Sequence, residues 1–552
     1  MEPATLADVF RLGVERHPRP DRFREKRNGS WRDVSTDEFA RRVRACAAGL
    51  ASIGIARGDR VGILSYNRVD WALADYACQL LGAADVPIYS TLPADQAAFI
   101  LRDSGAKAVF VEDAAQAEKV KGVVPHVVSF DPAPGIEDLA AFLARGTEPP
   151  GVRVEPDDLA TLIYTSGTTG VPKGVMLTHR NLVTNALSSC AVLTCRSDDV
   201  VLSFLPLSHS FERIMDYALY GSGASIAYAE HVDKVAENLL EVRPTIMAAV
   251  PRFYEKVYAK IQKSVRELPP KKREFFERAR ATGALAAELW RRGRRKPLGL
   301  RFRHWVYRKL VLSKLAAKVG GRIRFFVSGG GALARDVAEF FGSIDLPILE
   351  GYGLTETSPV LTVNAPGAAR LGTVGRAIPG VELRIAEDGE VLARGPNVMK
   401  GYYNRPEETA QALRDGWLLT GDIGEIDAEG FLRITDRKKD LFKTSGGKYV
   451  APQPIENALK LQPCVQNAIV IGDKRKFPAV LIVPAPKATL EELQAAVDAV
   501  NRSLAHHEQL KKFALVEKDF TIEGGELTPT LKVKRRAVEQ KYAALIDSLY
   551  AE

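Results

Sequence analysis

Eleven consecutive residues near the first third of the chain, Tyr164-Thr-Ser-Gly-Thr-Thr-Gly-Val-Pro-Lys-Gly174, have the chemistry to hold phosphate. Glycine permits backbone angles closed to other residues, so successive N–H groups can converge on one anion, and the Thr and Ser hydroxyls add donors. Lys173 brings one positive charge to the end of the run. The P-loop of nucleotide hydrolases is excluded, because Gly174 follows that lysine where the motif needs Ser or Thr for magnesium. Further on, Leu205-Pro-Leu-Ser-His-Ser-Phe-Glu-Arg213 ends an apolar strand in a polar cluster, where His209 can titrate near neutrality beside a carboxylate. A lone histidine is more often structural, and Glu212 with Arg213 reads as a structural ion pair. Ser328-Gly-Gly-Gly-Ala332 offers backbone without side chains, which either lies flat against a planar base or simply turns tightly.

These groups need elements to present them. Residues 160–164 read as a buried strand entering the phosphate loop, and residues 181–189 as a helix after it. Upstream, strands at 61–65, 86–89, 108–111 and 127–130 alternate with helices at 67–81 and 94–101, which predicts a mostly parallel sheet with helices on both faces. Residues 131–156, with several prolines and glycines, read as an exposed connection. Strands at 323–327 and 348–351 lead into further glycine-rich motifs, and residues 372–403 read as short strands of a small β subdomain. Strands at 469–471 and 480–483, a helix over 490–504 and a basic helix from about 533 suffice for a small α+β domain. The expected fold is α/β: a large N-terminal domain of layered sheets and helices with a β subdomain, then a small mobile α+β domain. The expected division is 1–436 and 437–552.

A chain of 552 residues exceeds one compact core, so two or more domains are expected. An apolar fraction of 46% with 26% charged residues excludes a disordered chain. No basic segment followed by an apolar core opens the sequence and no run of eighteen apolar residues occurs, so the expected location is the cytoplasm. Five cysteines without CxxC spacing read as reduced and mostly buried, and a zinc site is not expected. The net charge of +9 is modest over this length, but residues 291–310, RRGRRKPLGLRFRHWVYRKL, concentrate cations without an acid and interleave them with Trp305, Tyr307 and Leu310. That stretch suits anionic lipid or a phosphate-rich ligand, against a solvated helix face and linker as the plain alternative. Nucleic acid ranks last, because no recognition motif accompanies the charge.

The phosphate loop, with Tyr352-Gly-Leu-Thr-Glu-Thr357, Thr420-Gly-Asp422 and Asp436-Arg-Lys-Lys-Asp-Leu-Phe-Lys-Thr-Ser-Gly-Gly-Lys448 after it in order, resembles the adenylate-forming (AMP-binding) superfamily over nearly the whole chain. That superfamily comprises acyl-CoA synthetases, luciferases and peptide-synthetase adenylation domains. The resemblance implies ATP phosphates held by Thr165, Ser166, Gly167, Thr168, Thr169, Gly170 and Lys173. It sets Gly330 and Gly331 at the border of the adenine, Tyr352 stacked on it beside Gly353, and Asp422 and Arg437 at the ribose. Thr355 reaches the α-phosphate, Glu356 is a magnesium ligand together with Thr165, and His209 lies at the acyl carboxylate. Lys439 takes the hinge position. In Glu526-Leu-Thr-Pro-Thr-Leu-Lys-Val-Lys-Arg535, Lys532 is assigned as the catalytic lysine, although Leu531 stands where the family often has glycine; Lys534, on the same strand face, is the competing choice.

The implied reaction activates a carboxylate, a poor electrophile, as a mixed anhydride with AMP and then passes it to the thiol of coenzyme A. The co-substrates are ATP, Mg²⁺ and coenzyme A. Phe211-Glu-Arg213, the basic stretch at 291–310 and Thr444-Ser-Gly-Gly-Lys-Tyr-Val-Ala-Pro-Gln-Pro-Ile455 resemble the bacterial long-chain fatty acyl-CoA synthetase branch. The expected partners are therefore fatty acid, ATP and coenzyme A, with no nucleic acid and with peripheral contact at a membrane surface among the options; no feature specifies an oligomeric state. A fatty acyl-AMP ligase that loads a carrier protein, a ligase for another acid such as an amino acid, and a silent lipid-binding scaffold are the alternatives.

Overall fold

The computed structural model describes residues 2–165, 171–445, 448–521, 524–527 and 533–551. Two large sheets dominate the first four hundred residues. One has eight strands, with a parallel core of Arg60–Leu64, Ala84–Ile88, Ala108–Val111, His126–Ser129 and Leu159–Thr165. The other has nine, with parallel strands Phe325–Ser328, Ile246–Ala249, Val200–Ser203 and Ser225–Tyr228 at its centre. Period-two alternation explains why these segments are apolar on both sides. In Arg60–Leu64, Val61 and Ile63 face the core between the sheets while Leu64 faces an outer core; Phe110 and Val111 divide in the same way. The inner core is filled by helices buried from both sides, and all thirteen residues of Val69–Leu81 are buried.

The helix Ser210–Ser222 lies in this inner layer and is tied to the eight-stranded sheet by charge. Arg213 donates to Asp75 at 2.7 Å, Asp85 at 2.6 Å and Thr161 Oγ1 at 2.8 Å, and Tyr217 donates to Asp75 at 2.7 Å. Thr161 is in the strand that enters the phosphate loop. The expected pair between Glu212 and Arg213 is therefore corrected: neighbours on a helix project about 100° apart, so Arg213 meets carboxylates from two other elements. Glu212 is buried without a cation, and burial pushes its carboxyl up to about 8.

A five-stranded antiparallel sheet follows, built on Glu382–Ile385, Glu390–Arg394, Trp417–Ile426 and Leu432–Arg437. The C-terminal domain has a three-stranded sheet of Val465–Ile471, Ala479–Pro484 and Lys512–Leu515 with cores on both faces. Its basic tail forms two helices, Arg535–Lys541 and Ala543–Tyr550, rather than one. The connection at 131–156 also departs from expectation. It contains a short strand, Glu137–Asp138, and a helix, Leu139–Leu143, that buries Leu139 and Phe142. Two buried anchors within a polar segment are too few to register as a period. Among the described residues no helix is long and apolar enough to cross a membrane, and all five cysteines are free thiols.

Candidate active site

The strand Leu159–Thr165 enters the phosphate loop and Lys173–Thr178 leaves it antiparallel, with Thr165 opposite Lys173. Ser166, Gly167, Thr168, Thr169 and Gly170 lie outside the described residues. A strand thus separates the loop from the helix, which begins at His179. The sequence reading passed over this strand because Val175 and Leu177 are the only fully apolar inward positions in it. Its free edge pairs with Gly401–Tyr402, setting Tyr402 opposite Val175. The Tyr402 hydroxyl donates to Glu356 Oε1 at 2.9 Å. The Lys173 ammonium lies 5.4 Å from the centre of the same ring and 3.9 Å from Glu408 Oε1. Burial, then the Glu356 charge, push the Tyr402 phenol above its ordinary range, which keeps it a donor.

Glu356 and Thr355 occupy a short 3₁₀ turn, Thr355–Thr357, after the strand Ile348–Gly353. Gly353 is obligatory there, since a Cβ would stand 1.7 Å from the Pro359 carbonyl oxygen. The turn meets the helix Ser210–Ser222 end-on, with Ser210 Oγ 3.4 Å from Thr355 Oγ1. His209 caps that helix: its Nδ1 accepts from the Phe211 backbone N–H at 3.2 Å, which leaves the proton of the neutral ring on Nε2. Phe211 in turn packs on the glycine turn at 328–331, where a Cβ on Gly329 would come within 3.0 Å of its ring. Gly330 has φ of +76°, a conformation that favours glycine, and Gly331 follows it against Pro251. Burial also pushes Glu350, which lies opposite Ser328 in the sheet, up to about 8.

A third group sits where Trp417–Ile426 pairs with Leu432–Arg437, with Asp422 opposite Arg437. Tyr352 donates its hydroxyl to Asp422 Oδ2 at 2.7 Å and Arg437 Nε donates to Oδ1 at 3.1 Å. A carboxylate has about four lone-pair positions, so this pair orients Asp422 and leaves it capacity to accept from a diol. Desolvation, then the charges of Lys173 and Arg437, hold the Lys439 ammonium below its ordinary range, which sets Lys439 in the field of the phosphate-loop lysine. Asp436, next to Arg437 in its strand, is buried with Oδ2 unpartnered, and burial pushes its carboxyl up to about 6.

Lys532 lies outside the described residues. Nearby, Val533 pairs with Leu527, and the Lys534 N–H donates to the Glu526 carbonyl at 2.7 Å. Among the described residues no three His, Cys, Asp or Glu side chains converge as a metal cage. Glu356 gives one oxygen to Tyr402 and keeps a second. That donor set suits magnesium arriving on phosphate oxygens with its own waters, which needs only one or two protein carboxylates.

Sequence reading missed Tyr402, Ser210 and two asparagines. Asn181 Nδ2 donates to the Pro396 and Val398 carbonyls at 2.7 and 2.9 Å, and Asn185 exchanges two bonds with Val360, at 2.7 and 3.1 Å. These side chains bind the helix after the phosphate loop to two segments that follow the Glu356 turn. Asn181 stands at the third position after the helix cap Thr178, where a capping-box reading could have singled it out.

The sequence profile of AMP-binding enzymes matches residues 11–403, and that of the AMP-binding enzyme C-terminal domain matches residues 439–552. The Mycobacterium bovis long-chain-fatty-acid–CoA ligase FadD15 is 38% identical, over 95% of this chain and 93% of its own. An Arabidopsis thaliana peroxisomal long chain acyl-CoA synthetase 7 is 32% identical, over 95% of this chain and 82% of its own. Among solved structures, a Mycobacterium tuberculosis fatty acyl CoA synthetase superposes with a TM-score of 0.67 at 26% identity, over 98% of this chain and 99% of its own. The anthranilate CoA ligase AuaEII, in complex with anthranoyl-AMP, shares the fold with a TM-score of 0.78 at 22% identity, over 99% of this chain and 98% of its own. This chain belongs to the family of AMP-binding, adenylate-forming enzymes.

Proposed function

We propose that the chain is an ATP-dependent long-chain fatty acid:CoA ligase, forming an acyl-adenylate and pyrophosphate and then acyl-CoA and AMP. The observation that carries this reading is the 3.4 Å approach of Ser210 to Thr355. It sets the His209 helix end, suited to a carboxylate, against the Thr355–Glu356 turn, suited to phosphate. A carboxylate and an α-phosphate held there are neighbours, which supplies most of what an in-line displacement needs. The names of the relatives at 32–38% identity supply the class of acid.

In the first half-reaction the fatty carboxylate attacks the α-phosphorus and pyrophosphate leaves. His209 Nε2–H donates to the attacking carboxylate, and Thr355 donates to a non-bridging α-oxygen. Lys173 and the loop donors hold the phosphates. Asp422, oriented by Tyr352 and Arg437, accepts from the ribose hydroxyls. Glu356 and Thr165 would hold Mg²⁺, which neutralises charge on the departing pyrophosphate. Lys532 stabilises the charge gathering at the α-phosphate, with Lys534 as the competing lysine. In the second half-reaction the CoA thiol attacks the acyl carbon and AMP leaves. That step needs the lysine withdrawn, so the small C-terminal domain turns against the large one about Lys439. ATP and coenzyme A are cytoplasmic substrates, which supports a cytoplasmic location.

Mass-detected product formation from ATP, Mg²⁺ and acids from acetate to long-chain fatty acids and amino acids, with and without CoA, tests the reading. Long-chain acyl-CoA appearing only with CoA is the expected result; acyl-AMP that accumulates and ignores CoA would show a carrier-loading ligase instead. Lys532→Ala is expected to abolish adenylation while sparing thioester formation from preformed acyl-adenylate. Adenylation surviving in that variant would transfer the role to Lys534.

A further inference from the structure

Only part of the basic stretch at 291–310 lies on the helix Leu298–Tyr307. Its first arginines, Arg291, Arg292 and Arg294, stand where the helix Pro270–Arg291 ends, and they line a cavity of about 790 Å³. The other walls are the first turns of the helix Arg335–Ser343, the loop 367–371, Arg376, Glu429 and Phe431. Packing fixes these walls. The Ala369 N–H donates to the Arg291 carbonyl at 3.0 Å, and a Cβ on Gly293 would stand 2.9 Å from the Gly367 carbonyl oxygen. Arg370 and Arg376 lie over the buried Phe431 ring, 4.6 and 4.4 Å from its centre. None of the residues assigned to ATP, the acid or the hinge lines this cavity.

Six arginines and three glutamates face it. Arg292 takes Glu288 at 2.7 Å, and Arg370 takes Glu429 at 2.5 Å with Arg376 3.8 Å away. That leaves Glu339 to balance Arg291, Arg294 and Arg335, whose guanidinium groups make no hydrogen bond or ion pair among the described residues. Arg291 is half-buried against the helix Arg335–Ser343, where a Cβ on Gly342 would come 3.3 Å from its Nη1. Burial, more than any neighbouring charge, pulls its guanidinium below the ordinary range. A cation held part-way out of water without an acid lacks a partner that the chain does not supply.

We propose that this cavity is a second anion site, which takes a compact ligand carrying two or more phosphate groups on Arg291, Arg294 and Arg335. Guanidinium forks match phosphate oxygens two at a time. The volume falls within the range of about 300–1,000 Å³ usual for small-molecule sites and exceeds what a single phosphate fills. A bilayer or a duplex is too broad to follow the guanidinium groups into a cavity between four segments of chain. The site is separate from the ligase reading and stands or falls without it.

Isothermal titration of the full chain with inorganic tripolyphosphate tests this, and GTP in its place distinguishes a nucleotide from an inorganic source. The double variant Arg291→Gln, Arg335→Gln is expected to lose one saturable equivalent of anion, and Arg294→Gln to weaken that equivalent about tenfold. Lys173→Gln, altered at the phosphate loop, is expected to keep it. Arg291→Lys with Arg335→Lys is expected to bind more weakly than wild type at equal charge, since an ammonium has no fork. All the arginine variants are expected to keep wild-type melting temperatures without anion and wild-type adenylation. Equal binding by wild type and the Arg291→Gln, Arg335→Gln variant overturns the proposal, as does loss of all binding in Lys173→Gln. Uptake that never saturates would show diffuse attraction to surface cations and overturns it too. Anion bound through these arginines by a protein that makes no acyl-CoA would leave this site standing and remove the ligase reading, and ligase activity without such binding would do the reverse.

Discussion

Arg213 and the arginines around the outer helix Leu298–Tyr307 are the same side chain put to opposite uses. Arg213 is buried between Asp75 and Asp85, and its donors go to those two carboxylates, to Thr161 and to Tyr217 of its own helix. Arg301 and Arg303 are exposed on a segment that has no acid of its own. A buried guanidinium must be paired, because desolvating it alone costs far more than packing returns. An exposed one remains solvated and can wait for an anionic surface. The cation count of a segment therefore says little until the positions of the carboxylates are known.

The largest effect is expected where pairing is deepest. Arg213→Met leaves two buried carboxylates facing each other, so urea unfolding should show a loss of about 3–5 kcal/mol. A loss below about 1 kcal/mol would erase the contrast with the surface arginines.

Glu212, buried next to Arg213 but unpaired with it, makes a pH-dependent case. Its folded pKa of about 8 exceeds the ordinary 4.5, so the folded state binds its proton more tightly. Its contribution is fully present below the ordinary pKa and is lost as pH rises through the window up to about 8. Glu212→Gln should therefore gain in stability over wild type by an amount on the order of a few kcal/mol between pH 5 and pH 8.5. Thermal melts at the two pH values measure it, and parallel curves would refute it.

Tyr402→Phe removes one hydrogen bond to Glu356 while keeping the ring under Lys173. Adenylation is expected to slow about tenfold, equivalent to about 1.4 kcal/mol, with stability changed by about 1 kcal/mol or less. Pyrophosphate release kinetics separate the two. At the other end of the scale, Arg301→Gln should leave the unfolding midpoint within about 0.5 kcal/mol of wild type. A larger loss would mean that the outer helix pairs with the body of the protein after all.

Much of the candidate site was legible because its groups travel in short local motifs. Gly353 could be read from its neighbours, and the structure adds the reason, a carbonyl where its side chain would stand. The strands were legible wherever two-sided burial made them continuously apolar, as in Ala108–Val111, which was placed to the residue. Lys173–Thr178 was not, because a short strand on the flank of a glycine loop has too few positions to establish a period. Tyr402 and Asn185 were invisible for a different reason. Tyr402 meets Glu356 across 46 residues, and Asn185 meets Val360 across 175. No local pattern encodes a partner at that distance.

The set of chemical groups and the order of the elements carrying them are written in local sequence, since loop chemistry, alternation and glycine placement act within a few residues. The tertiary structure alone decided which charges are paired. It turned Arg213 toward Asp75 and Asp85 rather than Glu212, aimed Tyr352 and Arg437 at Asp422, and left Leu298, Phe302 and Trp305 facing outward. The physical reason is that electrostatic and apolar contacts depend on separation in space, and only the packing of the sheets and helices sets that separation.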